Sequence, residues 1–229
     1  MKIGIIIAMD IEYRKMLAVL DGKPQGHIGD NDIVLWQCGI GKVNAAVGAM
    51  QLIQQYHPDC ILSTGLAGGI DGSLQVMDVV VGAQTAYHDV YCGEGNLPGQ
   101  VQGLPGRFNA HPTLLSDAAK VRQESDLRVR EGLMCTGDQF ITDRTRQSAI
   151  KAMFPEALAC EMESAAIAHT CYLMNKPFLS IRVISDTPGN TDNHQQQWAD
   201  FLNSMTDRSF QFVLQFLRRL PATLPSVQS

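Results

Sequence analysis

Short apolar runs rich in Ile and Val recur along the chain, and their spacing sets its predicted organisation. Residues 2–9, 33–38, 60–64, 78–83 and 178–185 each read as a strand buried on both faces. Helix-length stretches lie between or after them, over 43–56, 112–124, 163–174 and 198–220. In the last of these, Phe201, Met205, Phe212, Phe216 and Leu220 form a stripe at roughly helical spacing. Strands alternating with helices predict an α/β fold, a three-layer sandwich with a mixed, largely parallel central sheet flanked by helices. No internal repeat, low-complexity tract or linker divides the chain, so one domain over residues 1–229 is expected. Residues 86–107 carry five Gly and two Pro; irregular stretches of that length are uncommon in compact domains and often functional.

Composition narrows the class. Of 229 residues, 45% are hydrophobic and 18% charged, which excludes a disordered chain, a collagen-like fibre and a coiled coil. Eighteen Lys and Arg against 23 Asp and Glu give a net charge of -5, with no basic footprint for nucleic acid or for a membrane surface. The longest apolar run, Ile3 to Met9, is far short of the ~20 residues that cross a bilayer. Asp10 and Glu12 follow it at once and no small-residue cleavage site appears, so a cytoplasmic protein is expected. The six cysteines (38, 60, 92, 135, 160 and 171) are scattered and read as free thiols of a reducing compartment. No zinc-binding spacing is present, so no zinc site is expected.

In open α/β sheets, ligands bind beyond the carboxyl ends of the strands. Asp10-Ile11-Glu12 follows the first strand, and a Gly-rich turn, Gly65-Leu66-Ala67-Gly68-Gly69, follows the third. Asp186 follows the last strand, and Ala159-Cys160-Glu161-Met162-Glu163 leads into a helix. Each feature alone has an ordinary explanation. Glu12 could be a solvated first-turn acid favoured by the helix dipole, and Glu161 and Glu163 two helix-start acids on opposite sides. Asp186-Thr187-Pro188-Gly189 could be turn chemistry. Gly39-Ile40-Gly41-Lys42 is half of a phosphate-binding loop without the remaining spacing, so nucleoside triphosphate binding through it is rejected. His88-Asp89 reads as a loop anchor ahead of an acid–base pair, and no GxSxG elbow supports a serine hydrolase.

Together the motifs are far more specific. Ala8-Met9-x-x-Glu12, Gly39-Ile40-Gly41-Lys42-Val43-x-Ala45-Ala46, Thr64-Gly65-x-Ala67-Gly68-Gly69, Gly137-Asp138-x-Phe140-Ile141, Glu161-Met162-Glu163-x-x-Ala166 and Arg182-x-x-Ser185-Asp186 run in unbroken order. The pattern closely resembles the bacterial 5′-methylthioadenosine/S-adenosylhomocysteine nucleosidases of the purine nucleoside phosphorylase superfamily, over about residues 1 to 218. The resemblance implies hydrolysis of the N-glycosidic bond of an adenine thionucleoside, without metal or cofactor, by a homodimer. It implies that Glu12 activates water and that Asp186 meets the purine. Glu163 would bind the ribose hydroxyls with Met162 against the sugar, Phe140 would stack on the base, and the backbone of Ile141 would meet the purine edge. Arg182 and Glu161 match polar positions near the water, and Ala8, Ile40, Leu66, Gly68 and Ser185 complete the expected substrate site. The phosphorylases of the superfamily carry arginines after the first strand and before the Gly-rich turn. Here Asp10-Ile11-Glu12 and Ser63-Thr64 stand in those places, which favours water over phosphate. Two departures stand out: Leu66 replaces a usual Ser near the water, and the segment from His88-Asp89 to Leu97-Pro98-Gly99 is shorter than usual. An altered 5′ preference (futalosine derivatives or adenosine) and a non-catalytic nucleoside binder are the alternative readings.

Overall fold

A computed structural model describes residues 1–187, 194–204 and 210–224. The chain runs β1 (Lys2–Ile7), α1 (Asp10–Val19), β2 (Gln25–Ile28), β3 (Asn31–Gln37), α2 (Lys42–Tyr56), β4 (Cys60–Gly69), β5 (Val79–Tyr87), β6 (Phe108–Asn109) and α3 (Pro112–Glu124). It continues through β7 (Val129–Thr136), α4 (Arg144–Met153), β8 (Ala157–Glu161), α5 (Ser164–Leu173), β9 (Phe178–Asp186), α6 (His194–Ser204) and α7 (Gln211–Arg219). All five predicted strands form. Sequence reading missed β2, β6, β7, β8, α1 and α4. Strand β7 opens Val129-Arg130-Glu131-Gly132, too polar to read as a buried strand.

The strands follow the order β2-β3-β1-β4-β8-β7-β5-β6, and β9 lies between β4 and β5. Strands β4, β8, β7, β5 and β9 therefore close a ring. Among the described residues five pairings are parallel (β1·β3, β1·β4, β4·β9, β5·β7, β7·β8) and four antiparallel (β2·β3, β4·β8, β5·β6, β5·β9). The sheet is thus mixed, with a smaller parallel share than expected. The cause is β4. Its first half pairs with β1 through Cys60–Ser63, and its second half turns to pair antiparallel with β8 at Gly68 and Gly69. The Gly-rich segment 65–69 is consequently the continuation of a strand, not the turn expected from its composition.

Alternation along the strands sorts apolar side chains onto two faces. Ile5, Ile7, Leu35, Leu62, Val79 and Ile181 meet Met16 of α1, Leu114 and Val121 of α3, and Phe212 and Phe216 of α7. Ile6, Val34 and Ile61 face the other way, against Ala45, Ala49 and Leu52 of α2 and Ala165 to Ala168 of α5. A separate cluster includes, beside Leu74 and Leu158, Ala67, Val80, Met134, Ala159 and Ile184 of the five ring strands. These pack inside the ring, and residues two positions away share that orientation: Gly65, Thr136, Glu161 and Arg182. The helix expected over 198–220 is two helices, α6 and α7, each burying its own aromatics; Met205 lies outside the described residues. Among the described residues, no helix is long and apolar enough to cross a membrane, and the cysteines are free thiols, four buried and Cys92 exposed.

Candidate active site

One end of the ring opens into a cleft of about 360 Å³. All thirteen residues singled out from the sequence line it: Ala8, Glu12, Ile40, Leu66, Gly68, Phe140, Ile141, Glu161, Met162, Glu163, Arg182, Ser185 and Asp186. Met9, Ala67, Gln139, Cys160 and Trp198 also line it and were missed. A larger groove of about 990 Å³, bordered by Met1, Phe108, His111 and Tyr172, contains none of these acids.

Glu12 lies in the first turn of α1, but it is 2% exposed, so it is no solvated dipole partner. Its Oε2 accepts the N–H of Met9 at 3.1 Å and its Oε1 the N–H of Leu66 at 2.8 Å. Burial raises its pKa, against the opposing pull of Arg182 and the two backbone bonds. Leu66 therefore serves Glu12 through its backbone, while its side chain packs into the core beneath α1. The strand crosses between Glu12 and Arg182 at Gly65, whose φ is +149°. A Cβ there would stand 2.6 Å from Arg182 Nη1 and 2.8 Å from Glu12 Oε1, so only glycine fits.

Arg182 points inside the ring and is 2% exposed. Its Nη2 donates to Glu161 Oε2 at 2.7 Å and to the hydroxyls of Ser63 and Ser164, both at 3.1 Å. Glu163 Oε2 lies 3.5 Å away. Burial alone would lower the arginine's pKa; Glu161, Glu163 and Glu12 hold it above its ordinary value. Glu161 also accepts the Thr136 hydroxyl and the N–H groups of Glu163 and Ser164. Its oxygens are thus committed to protein donors.

The expectation that Glu161 and Glu163 lie on opposite sides of one helix is corrected. Glu161 ends β8, and Glu163 is the N-cap of α5. That break in the helical path turns Glu163 toward α2, where its Oε1 accepts the N–H of Gly41 at 3.0 Å. The half phosphate-loop 39–42 thus holds a protein carboxylate. Burial outweighs Arg182 and, with Glu161, pushes Glu163 up to about 7.

Asp186 closes β9, 1% exposed, and its Oδ1 accepts the Ser185 hydroxyl at 2.6 Å. Thr187 N–H donates to Gln197 Oε1 at 3.2 Å, which ties the strand end to α6. Pro188 and Gly189, the rest of the expected turn, lie outside the described residues. Above Asp186 the walls become apolar: Met162, Ile141 and Phe140, whose ring meets Trp198 at 5.5 Å and 60°. Trp198 sits at the front of a stripe read as core, which is why its place in the cleft was not seen. His88-Asp89 is a loop anchor, with Asp89 accepting from Lys42 Nζ and from the N–H of Asp138.

The cleft is therefore two-ended. One end presents three glutamates to a single arginine, and the other an aspartate beneath aromatic and aliphatic walls. Such a site suits a flat, polar-edged ring joined to a group that develops positive charge. A family model described as the phosphorylase superfamily matches residues 2–218. A 5′-methylthioadenosine/S-adenosylhomocysteine nucleosidase of Actinobacillus succinogenes is 37% identical, with 96% of this chain and 100% of that protein aligned. Its counterpart in Pseudoalteromonas translucida is 38% identical over 97% of this chain and 99% of that one. Among solved structures, the S-adenosylhomocysteine nucleosidase of Streptococcus pyogenes in complex with 5-methylthiotubericidin superposes with a TM-score of 0.90 at 33% identity, covering 96% of this chain and 98% of that one. The Neisseria meningitidis nucleosidase in complex with methylthio-immucillin-A gives 0.89 at 33% identity, covering 96% and 99%.

Proposed function

Because this chain belongs to the phosphorylase superfamily, and within it to the 5′-methylthioadenosine/S-adenosylhomocysteine nucleosidases, we propose that it hydrolyses the N-glycosidic bond of both nucleosides, releasing adenine and a 5-thioribose. The adenine occupies the Asp186 end of the cleft, between Phe140 and Ile141. The ribose lies toward Glu163 and Met162, with a water held beside Glu12. As the bond from the anomeric carbon to the purine nitrogen breaks, the sugar becomes oxocarbenium-like and the base gains electron density. Protonated Asp186 passes its proton to N7, and Glu163 stabilises the positive ring. The water oxygen bonds to the anomeric carbon while Glu12 takes its proton. Exchange with solvent then restores both acids.

The observation that carries this reading is the state of Arg182. Among the described residues lining the cleft it is the one Arg or Lys, and Glu161 and Glu163 already hold it. A phosphate nucleophile would need an unspent cation beside the sugar and would meet Glu12 instead. The test is adenine release from both nucleosides with and without inorganic phosphate. Equal rates are expected; release that requires phosphate would make the protein a phosphorylase, and tight binding without release would make it a binder.

The protein works as one domain over residues 1–229, in the cytoplasm and as a homodimer. Support for the dimer comes from Val43, 74% exposed, and Val47 on α2, with Ile40 beside them at the cleft rim. No residue of 88–107 lines the cleft of its own chain, although Tyr91 and Leu97 stand exposed there. That segment completes the 5′ pocket of the partner, and its shortness predicts weak discrimination between methylthioadenosine and nucleosides with smaller or more polar 5′ groups. Sedimentation that finds a fully active monomer would refute the dimer. A preference for methylthioadenosine over adenosine of several orders of magnitude would refute the loop argument.

A further inference from the structure

The N-terminus of α2 stands between the two ends of the cleft, and carboxylates from distant segments take its leading N–H groups. Gly41 donates to Glu163 Oε1 at 3.0 Å, and Lys42 donates to Asp138 Oδ1 at 2.8 Å. Asp138 is two residues before Phe140, so the second bond pins the root of the aromatic wall to the start of α2, two residues after Ile40. The aspartate is itself braced. Its N–H donates to Asp89 Oδ2 at 2.8 Å, and Lys42 Nζ reaches both Asp89 oxygens at 2.8 and 2.7 Å while lying 3.8 Å from Asp138 Oδ2. The fit is close. A Cβ on Gly41, whose φ is +95°, would stand 3.1 Å from Asp138 Oδ1, and one on Gly137 would stand 2.3 Å from His88 Cε1. Lys42, Asp89 and Asp138 do not line the cleft, and the proposed chemistry uses none of them.

We propose that Asp138, braced by Lys42 and Asp89, is a positioning residue that holds the Phe140 wall at a fixed distance from Ile40 and Glu163, so that purine and ribose are gripped in one register. The inference rests on the adenine-nucleoside reading of the cleft. An exposed ion pair by itself contributes little. Here the α2 N-terminus holds the Asp138 carboxylate, while Lys42 Nζ and the N–H of Asp138 converge on Asp89, so residue 138 is tied to α2 through both its side chain and its backbone.

The experiment compares wild type with Asp138→Ala, Asp138→Asn, Lys42→Met and the Lys42→Met/Asp138→Ala pair. It measures kcat and KM for methylthioadenosine, adenine affinity by calorimetry, and Tm. Asp138→Ala is expected to raise KM and the adenine Kd about tenfold, with kcat within about threefold of wild type. Asp138→Asn should recover most of the affinity, because its amide oxygen still accepts the Lys42 N–H. Lys42→Met alone should weaken binding, and its effect in the Asp138→Ala background should be smaller than its effect alone, since both act on one hydrogen-bonded cluster. Unchanged KM and Kd in Asp138→Ala, or a fall in kcat and Tm at constant KM, overturns the proposal. If Asp138→Ala does not fold, Lys42→Met decides the question by the same KM and Kd criteria. A wild type that binds adenine but releases none refutes the hydrolase reading and leaves the affinity measurements to judge the anchor; a wild type that binds no adenine refutes both.

Discussion

Replacing Glu12 by Gln isolates the proposed base with minimal change of shape. Both carboxylate oxygens accept backbone N–H groups, from Met9 at 3.1 Å and Leu66 at 2.8 Å. An amide offers one acceptor and one donor, so either orientation sets its NH₂ against a backbone N–H. An unmet buried donor costs about 1–3 kcal/mol. Removing a carboxylate whose ionisation the fold resists, as its raised pKa shows, offsets part of that. The variant should therefore fold, with stability within about 2 kcal/mol of wild type. Loss of a general base costs about 10²–10⁴-fold in rate, or roughly 3–5 kcal/mol of barrier. Initial rates of adenine release, set beside adenine affinity by calorimetry, separate the two effects. The expected result is a kcat lower by about 100-fold or more, with adenine Kd within about threefold. A kcat within about tenfold of wild type, or a loss matched by lost adenine binding, would refute Glu12 as the base. The wild-type acid limb of kcat/KM should also lie above the ordinary carboxylate range, because Glu12 must ionise to accept a proton.

Asp186→Asn should cripple hydrolysis, with a smaller loss on nucleosides whose leaving base is already activated; an equal loss on both would mean that Asp186 only positions the purine. Glu163 is raised from 4.5 to about 7, so within that window the folded state holds a proton that the unfolded chain has released, and stability falls as pH rises through it. The Tm of Glu163→Gln minus that of wild type should therefore grow from pH 4.5 to 7 and then level off, and a difference independent of pH would disprove the assignment. Gly65→Ala should cost about 1–3 kcal/mol in urea titration and lower kcat, by forcing Glu12 and Arg182 apart. Gly72→Ala, with nothing within 4 Å of its Cβ, is the control; equal effects at both positions would remove the steric argument.

The strands were legible where both faces are buried, since continuous Ile and Val runs such as 3–7 and 178–184 have few other homes in an α/β chain. The gathering of acids was legible because Glu12 and Asp186 follow such runs directly. Ring closure was not. It depends on β4 continuing through five residues of turn-like composition, and on β7, whose first half is half-polar. The orientation of Glu163 escaped because a two-residue spacing says nothing until one knows that β8 ends at Glu161. The anchor on Asp138 pairs residues 47, 49 and 96 apart in sequence, a separation at which local pattern carries no signal. Trp198 was masked by the apolar stripe behind it, whose residues do serve the core.

Ring closure also determines when the site comes into being. Strand β9 is the last strand of the chain, and it is the one that joins β4 to β5. A nascent or truncated chain ending before residue 178 would carry two bare strand edges facing each other and would lack Arg182 and Asp186. Such edges recruit other strands, so fragments of this length should self-associate instead of holding a partial site. Closing loops of more than 90 residues is slow, and the hydrogen bonds it completes are mutually dependent. In native-state hydrogen exchange, the amides of β4 and β9 should open only with the whole molecule, while those at the solvent-side ends of the sheet, β2 and β6, exchange through smaller fluctuations. The site is thus complete only once β9 is in place, because that strand brings both Arg182 and Asp186 to the acids carried by earlier segments.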